Sequence, residues 1–420
     1  MADINTENPK KIPGHAQQEA GNNQPQTQET EAPKVEPRLS TEALLEMSQS
    51  ISTTKGQRRL ISVLVVSSVV LILVALAATI LLTTRTKDVL VPGKDFYAII
   101  PEEGYLLSLD AVGKRLALIK PGDPSPKGFK PREIVEIPVD RLVVGTGQFD
   151  GGLAISLGMA PAIKGVTIPD TAWLDPVIDE GLSDGSIVFL GTDTAMDYER
   201  IVALEPDLVF APNMESMAVF EELNLAAART YTVLDNSLNA RFAFVQWLGV
   251  IGGKEAEAAA FKEKVTTTLA ELEAKVQGLP EVPTVWALIF EKRVFVEPGQ
   301  NWVGEVVKML GGRYVFEDVP GDSTIEVTLE RFIESGKEAE VLILYPGMLK
   351  YVTCKRDIIR TNSNLATLKP LGPEGRTYLV EPLFYESFGR LDEIATELAA
   401  ILHPELFPDY KLVFFRELPL

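Results

Sequence analysis

The chain has 420 residues, enough for two α/β lobes, and 46% of them are hydrophobic, enough to fill the cores of both. Its formal net charge of −19, with no cluster of Lys and Arg, excludes a nucleic-acid-binding protein. A single cysteine, Cys354, excludes an intrachain disulfide, and two histidines, His15 and His403, are too few for most metal-dependent or histidine-based catalytic sites.

The N-terminal part combines a polar tail with one long apolar run. Residues 1–59 contain few large apolar side chains, so we expect a disordered tail. The segment Leu60–Leu82 has no charged residue, and at about 1.5 Å per residue a helix of this length spans roughly 35 Å, which predicts a membrane anchor. Lys55, Arg58 and Arg59 directly precede it, which predicts that the N-terminus lies in the cytoplasm and the C-terminal part of the chain lies outside it. A cleaved signal peptide is the alternative.

Residues 83–139 are expected to form a juxtamembrane linker with one hairpin. The hairpin is predicted at Tyr105–Ile119, where two apolar runs flank the sequence DAVG. The segment 120–138 is rich in Pro and Gly, which predicts a connector.

Lobe one is predicted at 140–237, where short apolar strands alternate with short helices. This alternation is typical of a mostly parallel sheet covered on both faces. The predicted strands are Leu142–Thr146, Ile187–Leu190, Leu208–Ala211 and Tyr231–Leu234, and the predicted helices lie near 151–158, 197–204 and 216–225.

Lobe two is predicted at 281–420 with the same alternation, so the fold class is α/β with two doubly wound lobes. Its predicted strands are Val285–Phe290, Val341–Tyr345 and Thr377–Val380, and its predicted helices lie near 301–310, 328–335 and 388–402.

Bridging helices are predicted at 238–280, between the lobes. The first covers residues 238–251. The second, Lys254–Gly278, has an apolar stripe at helical spacing and a face of Ala, Glu and Lys. No second long helix with this amphipathic pattern lies nearby in the sequence. We therefore expect this helix to join the two lobes as a single strut, with a ligand cleft between the lobes. The apolar stripe consists of Phe261, Val265, Leu269, Leu272 and Val276.

The candidate ligand-binding residues follow the predicted strands, because ligands of parallel α/β sheets meet the loops at the carboxyl ends of the strands. Aromatic, Met and Arg side chains suit a large ligand that is partly flat or anionic, although ordinary packing is an alternative role for each. The candidates are Phe149, Met214, Arg293, Trp302, Tyr345, Phe384 and Tyr385.

Catalysis has little support in the sequence. The segment GTGQFDGG lacks the Gly-Lys-Ser/Thr of a phosphate loop, and neither Ser156 nor Ser216 lies in a nucleophile motif. His403 ends the last predicted helix, where we expect it to interact with the terminal carbonyls of that helix. We therefore predict no enzyme, no catalytic residue, no metal ligand and no cofactor.

The most specific stretch is MDYERIVALEPDLVFAPN, residues 196–213. Asp197 is a predicted N-cap, and Glu199 lies in the first turn of the helix that follows. We expect Ile201, Val202 and Leu204 to face inward, with Leu208–Ala211 as a buried strand.

This stretch resembles the periplasmic binding proteins for iron-siderophore complexes, haem and cobalamin, which are the extracytoplasmic receptors of ABC importers. Further similar segments occur in the family's order, and together they cover roughly 140–410. They are DRLVV at 140–144, LGMAPAIKGV at 157–166, the helix 254–278, VGEVVKMLGGRYVF at 303–316, VTLERFIESGKEAEVLIL at 327–344 and LHPELF at 402–407.

The resemblance implies two α/β lobes joined by one rigid helix that permits only small opening movements. It implies a monomer that captures a metal chelate between its lobes and delivers it to permease subunits served by a cytoplasmic ATPase. It also implies docking on the permease through one glutamate on each lobe. These are Glu199 and Glu330 by motif position, although stabilisation of a helix N-terminus would also explain them.

The sequence departs from the family's pattern at its anchor, because no cysteine for lipid attachment follows the apolar run. The scarcity of histidine disfavours a bare transition-metal ion as ligand, whereas Met214, Tyr345 and Tyr385 would suit an axial ligand of haem. Two other functions are considered: a ligand sensor in a membrane signalling complex that uses the tail as a contact, and a metal chelatase on a related fold.

Overall fold

The computed structural model describes residues 97–168, 173–192, 194–230, 236–290, 293–321, 324–347 and 351–420. The predicted tail at 1–59, the predicted anchor at 60–82 and the predicted strand at Tyr231–Leu234 lie outside these ranges and stay predictions. Within the ranges, no helix combines the length and apolar character that crossing a bilayer requires.

A four-stranded sheet, which we call the N-terminal sheet, precedes the lobes. Neighbouring strands pair antiparallel from β1 to β3, and β4 adds parallel to β3. The strands β2 and β3 form the hairpin expected at Tyr105–Ile119, with Leu106 opposite Leu118. The segment 120–138 is not only a connector, because burial of Val135 draws its end into the sheet as β4. The strands are β1 (Ile99–Glu102), β2 (Tyr105–Leu109), β3 (Arg115–Ile119) and β4 (Ile134–Glu136).

Lobe one contains a five-stranded sheet, and all its neighbouring strands are parallel, as predicted. Its strands are β5 (Leu142–Val144), β6 (Ile163–Val166), β7 (Val188–Phe189), β10 (Leu208–Ala211) and β11 (Ala227–Arg229). They lie in the order β11-β10-β5-β6-β7. A separate two-stranded hairpin consists of β8 (Gly191–Thr192) and β9 (Ala195–Met196). Its helices are α1 (Gln148–Ser156), α2 (Pro176–Asp184), α3 (Tyr198–Ala203) and α4 (Met214–Glu222).

Several elements of lobe one are not predicted from the sequence, among them β6 and α2. The strand β6 has the sequence IKGV, in which Lys164 and Gly165 interrupt the apolar run. Gly165 is needed there because a Cβ at this position would lie 2.4 Å from Leu190 Cδ1. The helix α2 is polar, and it begins where the Asp175 side chain accepts a hydrogen bond from Val177 N.

The short helix α3 turns only one face to the core. Ile201 is fully buried, as predicted, but the prediction for Val202 is wrong, because its side chain is 40% exposed. Side chains of adjacent helical residues point about 100° apart. Because α3 turns only one face to the core, it buries Ile201 and exposes Val202. The next strand, β10, is buried throughout, as its sequence predicted.

The N-terminal sheet covers the free edge of the lobe-one sheet. The edge strand is β11, where Arg229 O accepts a hydrogen bond from Ala111 N at 3.0 Å and Arg229 N donates one to Asp110 Oδ2 at 2.8 Å. Trp247 Nε1 donates to Ser108 Oγ at 2.7 Å, with both side chains fully buried. The N-terminal sheet therefore shares the core of lobe one.

Two helices, α5 (Leu238–Gly252) and α6 (Glu255–Val276), follow lobe one and lie close to their predicted positions. The junction between them is Gly253, whose φ of 61° is the left-handed conformation that glycine adopts readily at a helix end.

Lobe two contains a sheet with a parallel centre, β14-β12-β16-β17, and antiparallel strands at its edges. The strands are β12 (Val282–Phe290), β13 (Arg293–Val296), β14 (Gly312–Tyr314), β15 (Ile325–Val327), β16 (Val341–Tyr345), β17 (Arg376–Val380) and β18 (Phe415–Glu417). They lie in the order β15-β13-β12-β16-β17-β18, and β14 also pairs with β12. The helices are α7 (Trp302–Met309), α8 (Leu329–Gly336), α9 (Lys355–Thr361) and α10 (Leu391–Leu402).

The helix α6 contributes to the cores of both lobes, as the strut prediction required. Ala258, near its start, packs in the core of lobe one, whereas Val265, Leu269 and Leu272 pack in the core of lobe two. Phe261 lies between them and contacts both cores. A helix that is built into two cores at its two ends couples the lobes closely.

The position of His403 differs from its prediction. Its buried ring places Nε2 3.0 Å from Leu310 O, the carbonyl that ends α7, and not at the carbonyls of its own helix α10. The type of contact was predicted correctly, but the carbonyl lies at the end of another helix, α7.

Candidate functional site

The candidate site lies where the loops after β5 and β17 meet between the lobes. The helix α1 follows β5 and packs against residues 382–390, which follow β17. The two backbones approach closely because Gly152 has no side chain: a Cβ there would lie 2.1 Å from Glu386 O. The carboxyl ends of strands from both sheets therefore contribute to one interface, as α/β sites require.

Five of the seven predicted ligand-binding residues form one aromatic cluster at this interface: Phe149 from lobe one and Trp302, Tyr345, Phe384 and Tyr385 from lobe two. The Phe149 ring centroid lies 5.5 Å from that of Tyr385 and 6.2 Å from that of Phe384, both edge to face. Tyr345 and Trp302 lie 6.5 Å and 6.3 Å from Phe384. These separations are those of favourable aromatic contacts.

The five rings differ in their accessibility. Phe384 and Trp302 are buried in the core, with 0% and 3% of their surface exposed, whereas Phe149, Tyr345 and Tyr385 are half-buried. Burial raises the pKa of Tyr385 to about 12. The half-buried rings are those that a ligand between the lobes could contact.

The other two predicted ligand-binding residues lie outside this cluster. Met214 is the first residue of α4, and 60% of its surface is exposed. Arg293 begins β13 and makes a bidentate ion pair with Glu326, in which Nε lies 2.9 Å from Oε1 and Nη2 lies 2.5 Å from Oε2. This pair lowers the pKa of Glu326. The charge of Arg293 is already neutralised at the edge of lobe two.

Buried charges accompany the aromatic cluster, and the sequence predictions missed them. Asp150 in lobe one accepts hydrogen bonds from the hydroxyls of Thr146 and Thr230. Glu297 in lobe two accepts a hydrogen bond from Asn301 Nδ2. Burial raises the pKa of both carboxyl groups, and these hydrogen bonds offset part of the rise.

Arg241 on α5 is the cation that faces both carboxylates. Its charge lowers the pKa of Asp150 and of Glu297, partly offsetting their burial. Its Cζ lies 4.7 Å from the ring centroid of Phe388, which packs on Phe149 at 5.7 Å. A signal was present in the sequence, since Arg241 is the one charged residue in the apolar run LNARFAFVQWLGVI.

A buried carboxylate joins the lobes beside the aromatic cluster. Glu386, on lobe two, is 7% exposed. Its Oε1 accepts hydrogen bonds from Gln148 Nε2 at 2.9 Å and from Leu174 N at 2.7 Å, and its Oε2 accepts one from Asp175 N at 2.7 Å. All three donors belong to lobe one.

Three recesses on the described surface lie away from the five rings. Recesses of about 430 and 390 Å³ lie beside the end of α6 and α7, and a third of about 420 Å³ lies on the N-terminal sheet. None of these is lined by a ring of the aromatic cluster.

The two predicted docking glutamates are exposed on separate lobes. Glu199 lies in the first turn of α3, after the N-cap Asp197, and Glu330 lies in the first turn of α8, after the N-cap Thr328. Among the described residues, no group of three or more His, Cys, Asp or Glu side chains is placed to hold a metal ion.

Comparison with known proteins identifies relatives of this chain in an archaeon. It is 24% identical over 331 residues to the "Uncharacterized lipoprotein MJ0878" of Methanocaldococcus jannaschii, which covers 74% of this chain and 78% of the relative. It is 26% identical over 323 residues to the "Uncharacterized lipoprotein MJ0872" of the same organism, which covers 73% of this chain and 80% of the relative.

Solved structures share the fold at low sequence identity. A periplasmic heme binding protein from Pseudomonas aeruginosa aligns with a TM-score of 0.53 and 16% identity over 67% of this chain and 99% of its own. The periplasmic heme binding protein HutB of Vibrio cholerae aligns with a TM-score of 0.51 and 15% identity, over 63% and 100%. Helicobacter pylori Ceue with Ni(II) bound aligns with a TM-score of 0.51 and 15% identity, over 66% and 88%.

The family profile described as "Periplasmic binding protein" matches residues 152–363, half of the chain. The match includes the end of α1, both bridging helices and most of lobe two. It agrees with the two-lobe fold and confirms the resemblance found in the sequence. The chain therefore belongs to the periplasmic binding protein family.

Proposed function

We propose that this protein is the membrane-anchored, extracytoplasmic substrate-binding protein of an ABC importer, and that it binds an iron-siderophore or a related metal complex such as haem or cobalamin. The observation that carries the proposal is the aromatic cluster shared by the two lobes of a periplasmic binding protein fold. Structures with this fold include heme binding proteins and one with bound Ni(II), which supports this class of ligand.

The ligand is bound between the lobes against the half-buried rings of Phe149, Tyr345 and Tyr385. Flat ligand faces stack on these rings, and burial of both surfaces supplies most of the binding free energy. Anionic oxygens of the ligand pair with Arg241, which lies against Phe388 in the same cluster. Met214 contacts the ligand from the lobe-one side. No chemical conversion is part of this function.

Delivery uses one exposed glutamate on each lobe. Glu199 and Glu330 pair with cationic side chains of the permease subunits, whose transport is driven by a cytoplasmic ATPase. Residues 60–82 anchor the monomer in the membrane behind the cytoplasmic tail 1–59. The domain boundaries follow the sequence proposal, with lobe one at 140–237, bridging helices at 238–280 and lobe two at 281–420.

A spectroscopic titration tests the proposal. The purified chain is titrated with haemin, cobalamin and ferrichrome, and complex formation is followed by absorbance. We expect one of these to bind with one-to-one stoichiometry. Phe149→Ala and Tyr385→Ala should then weaken binding by about tenfold each, because each removes one stacked ring worth about 1.4 kcal/mol.

The matched control is Tyr105→Ala, which removes a ring that packs on Phe129 in the N-terminal sheet. Its affinity should equal that of the wild type. If none of the three compounds binds, the ligand class is wrong. If one binds but Phe149→Ala and Tyr385→Ala leave its affinity unchanged, the site is elsewhere.

A further inference from the structure

Glu386 bridges the lobes by a set of contacts that differs from an ordinary surface ion pair. Its buried carboxylate receives three hydrogen bonds from lobe one, two of them from the main chain at 2.7 Å. Hydrogen bonds to a charged acceptor are shorter and stronger than those between neutral groups. Because main-chain donors cannot rotate away, these bonds form only when the lobes are in register.

Lobe one presents these donors in a fixed orientation. Leu174 and Asp175 directly precede α2, whose N-terminal partial positive charge favours a nearby carboxylate. Trp173 fixes the segment by donating from Nε1 to Ile168 O at 3.0 Å and by packing on Gly151, where a Cβ would lie 2.5 Å from Cη2 of the indole. The donors are therefore organised before Glu386 arrives.

The closure held by Glu386 also covers the aromatic cluster. Residues 384, 385 and 388, on both sides of Glu386 in sequence, carry the rings that pack on Phe149. These rings cannot separate from Phe149 while Glu386 is bonded to lobe one, because one short turn holds them together.

We propose that Glu386 is an interlobe latch: its carboxylate holds the lobes together over the aromatic cluster, and its release from Leu174, Asp175 and Gln148 is the step that opens the site. This inference rests on the proposed function for the identity of the site, but the latch itself is a property of the fold. Glu386 is a positioning residue that acts by controlling access and does not contact the ligand.

Hydrogen exchange of the full-length chain in detergent micelles tests the latch directly. In Glu386→Gln the two main-chain donors lose their charged acceptor. We expect amide exchange in residues 173–184 and 148–156 to become about tenfold faster, which corresponds to the loss of one charge-assisted hydrogen bond. The control is Glu393→Gln, since Glu393 also accepts two hydrogen bonds but from Arg390, within lobe two. It should change exchange only near 390–397.

A second variant opens the interface without touching the carboxylate. Gly152→Ala introduces a Cβ against Glu386 O while keeping a good helix former inside α1. We expect the same increase of exchange at residues 173–184 as in Glu386→Gln. If both variants exchange like the wild type at these residues, there is no latch. If exchange rises equally across the whole of lobe two, Glu386 supports folding and the latch proposal is overturned.

Haemin kinetics separate the latch from the proposed function. We expect haemin to associate and dissociate several-fold faster in Glu386→Gln, with a smaller change in equilibrium affinity. A mere structural defect would instead reduce the fraction of binding-competent protein and leave the rates of the remainder unchanged, which overturns the proposal. If haemin does not bind the wild type, the ligand class fails while the exchange result still decides the latch.

Discussion

The half-buried carboxylate of Asp357 acts as a local clamp on the segment that begins α9. Its Oδ2 accepts hydrogen bonds from Thr353 N and Thr353 Oγ1, both at 3.0 Å, at the start of α9. These bonds lower the pKa of Asp357 from 3.8 to about 2. Because the pKa is depressed in the folded state, the stabilisation is complete above the unfolded value and is lost as the pH falls toward 2.

We expect Asp357→Asn to be less stable than the wild type at pH 7, and the difference to shrink as the pH falls from 5 to 3. Urea unfolding at pH 7, 5, 4 and 3 measures it. Glu374→Gln, in a turn of the same lobe, is the control and should show no pH-dependent difference. A difference for Asp357→Asn that stays constant down to pH 3 would contradict the clamp.

At the residue scale, sequence patterns indicate burial better than they indicate the partners of charged groups. The apolar run LVFA specifies the buried strand β10, and the aromatic residues after strand ends do gather between the lobes. Sequence patterns cannot reveal the partners of buried charges, because those come from distant segments. Glu386 is bonded to residues more than two hundred positions away, and Arg241 faces carboxylates from both lobes.

Among the elements, α6 determines how firmly the lobes are joined. Leu269 is 1% exposed and packs in the core of lobe two, whereas Glu271 lies on the exposed face of the same helix. Leu269→Ala should lower the free energy of unfolding by about 3 kcal/mol, because it removes buried methyl groups and leaves a cavity.

Glu271→Ala is the control for this helix, and it should change the free energy of unfolding by less than about 0.5 kcal/mol, since alanine is at least as good a helix former. Chemical denaturation followed by circular dichroism measures both variants. If the two variants lose the same free energy of unfolding, α6 does not pack in the core of lobe two as described.

The elements with a strong sequence pattern were predictable from the sequence, and those without one were not. The helices α5 and α6 and the strands β10 and β16 have strong periodic or apolar patterns. The strands β13, β15 and β18 are short and mix polar with apolar residues, so pairing with neighbouring strands stabilises them. The polar helix α2 was missed because its stability depends on capping more than on burial.

At the scale of the whole molecule, the N-terminal sheet completes lobe one. It covers the edge strand β11 through Asp110 and Ala111, and Ser108 receives the hydrogen bond of the buried Trp247 indole. A chain that begins at residue 140 would expose this edge and leave the indole unpaired. Exposed edge strands template aggregation, so we expect this truncation to be insoluble or to sediment as large oligomers.

The comparison chain begins at residue 89, which keeps the N-terminal sheet, and it should remain monodisperse. Sedimentation velocity and size-exclusion chromatography distinguish the two products. A monodisperse, cooperatively folding fragment from residue 140 would show that lobe one is complete without the N-terminal sheet.

All four tryptophans of the chain are shielded from water, Trp173 and Trp247 in lobe one and Trp286 and Trp302 in lobe two. Trp302 lies at the interface between the lobes, because its main-chain N–H donates to Asn236 O at 2.9 Å. Dissolved iodide should therefore quench little of the tryptophan fluorescence while the two lobes stay in contact. An increase in iodide quenching would therefore indicate that the two lobes have separated. The measurement uses the natural tryptophans and needs no added label.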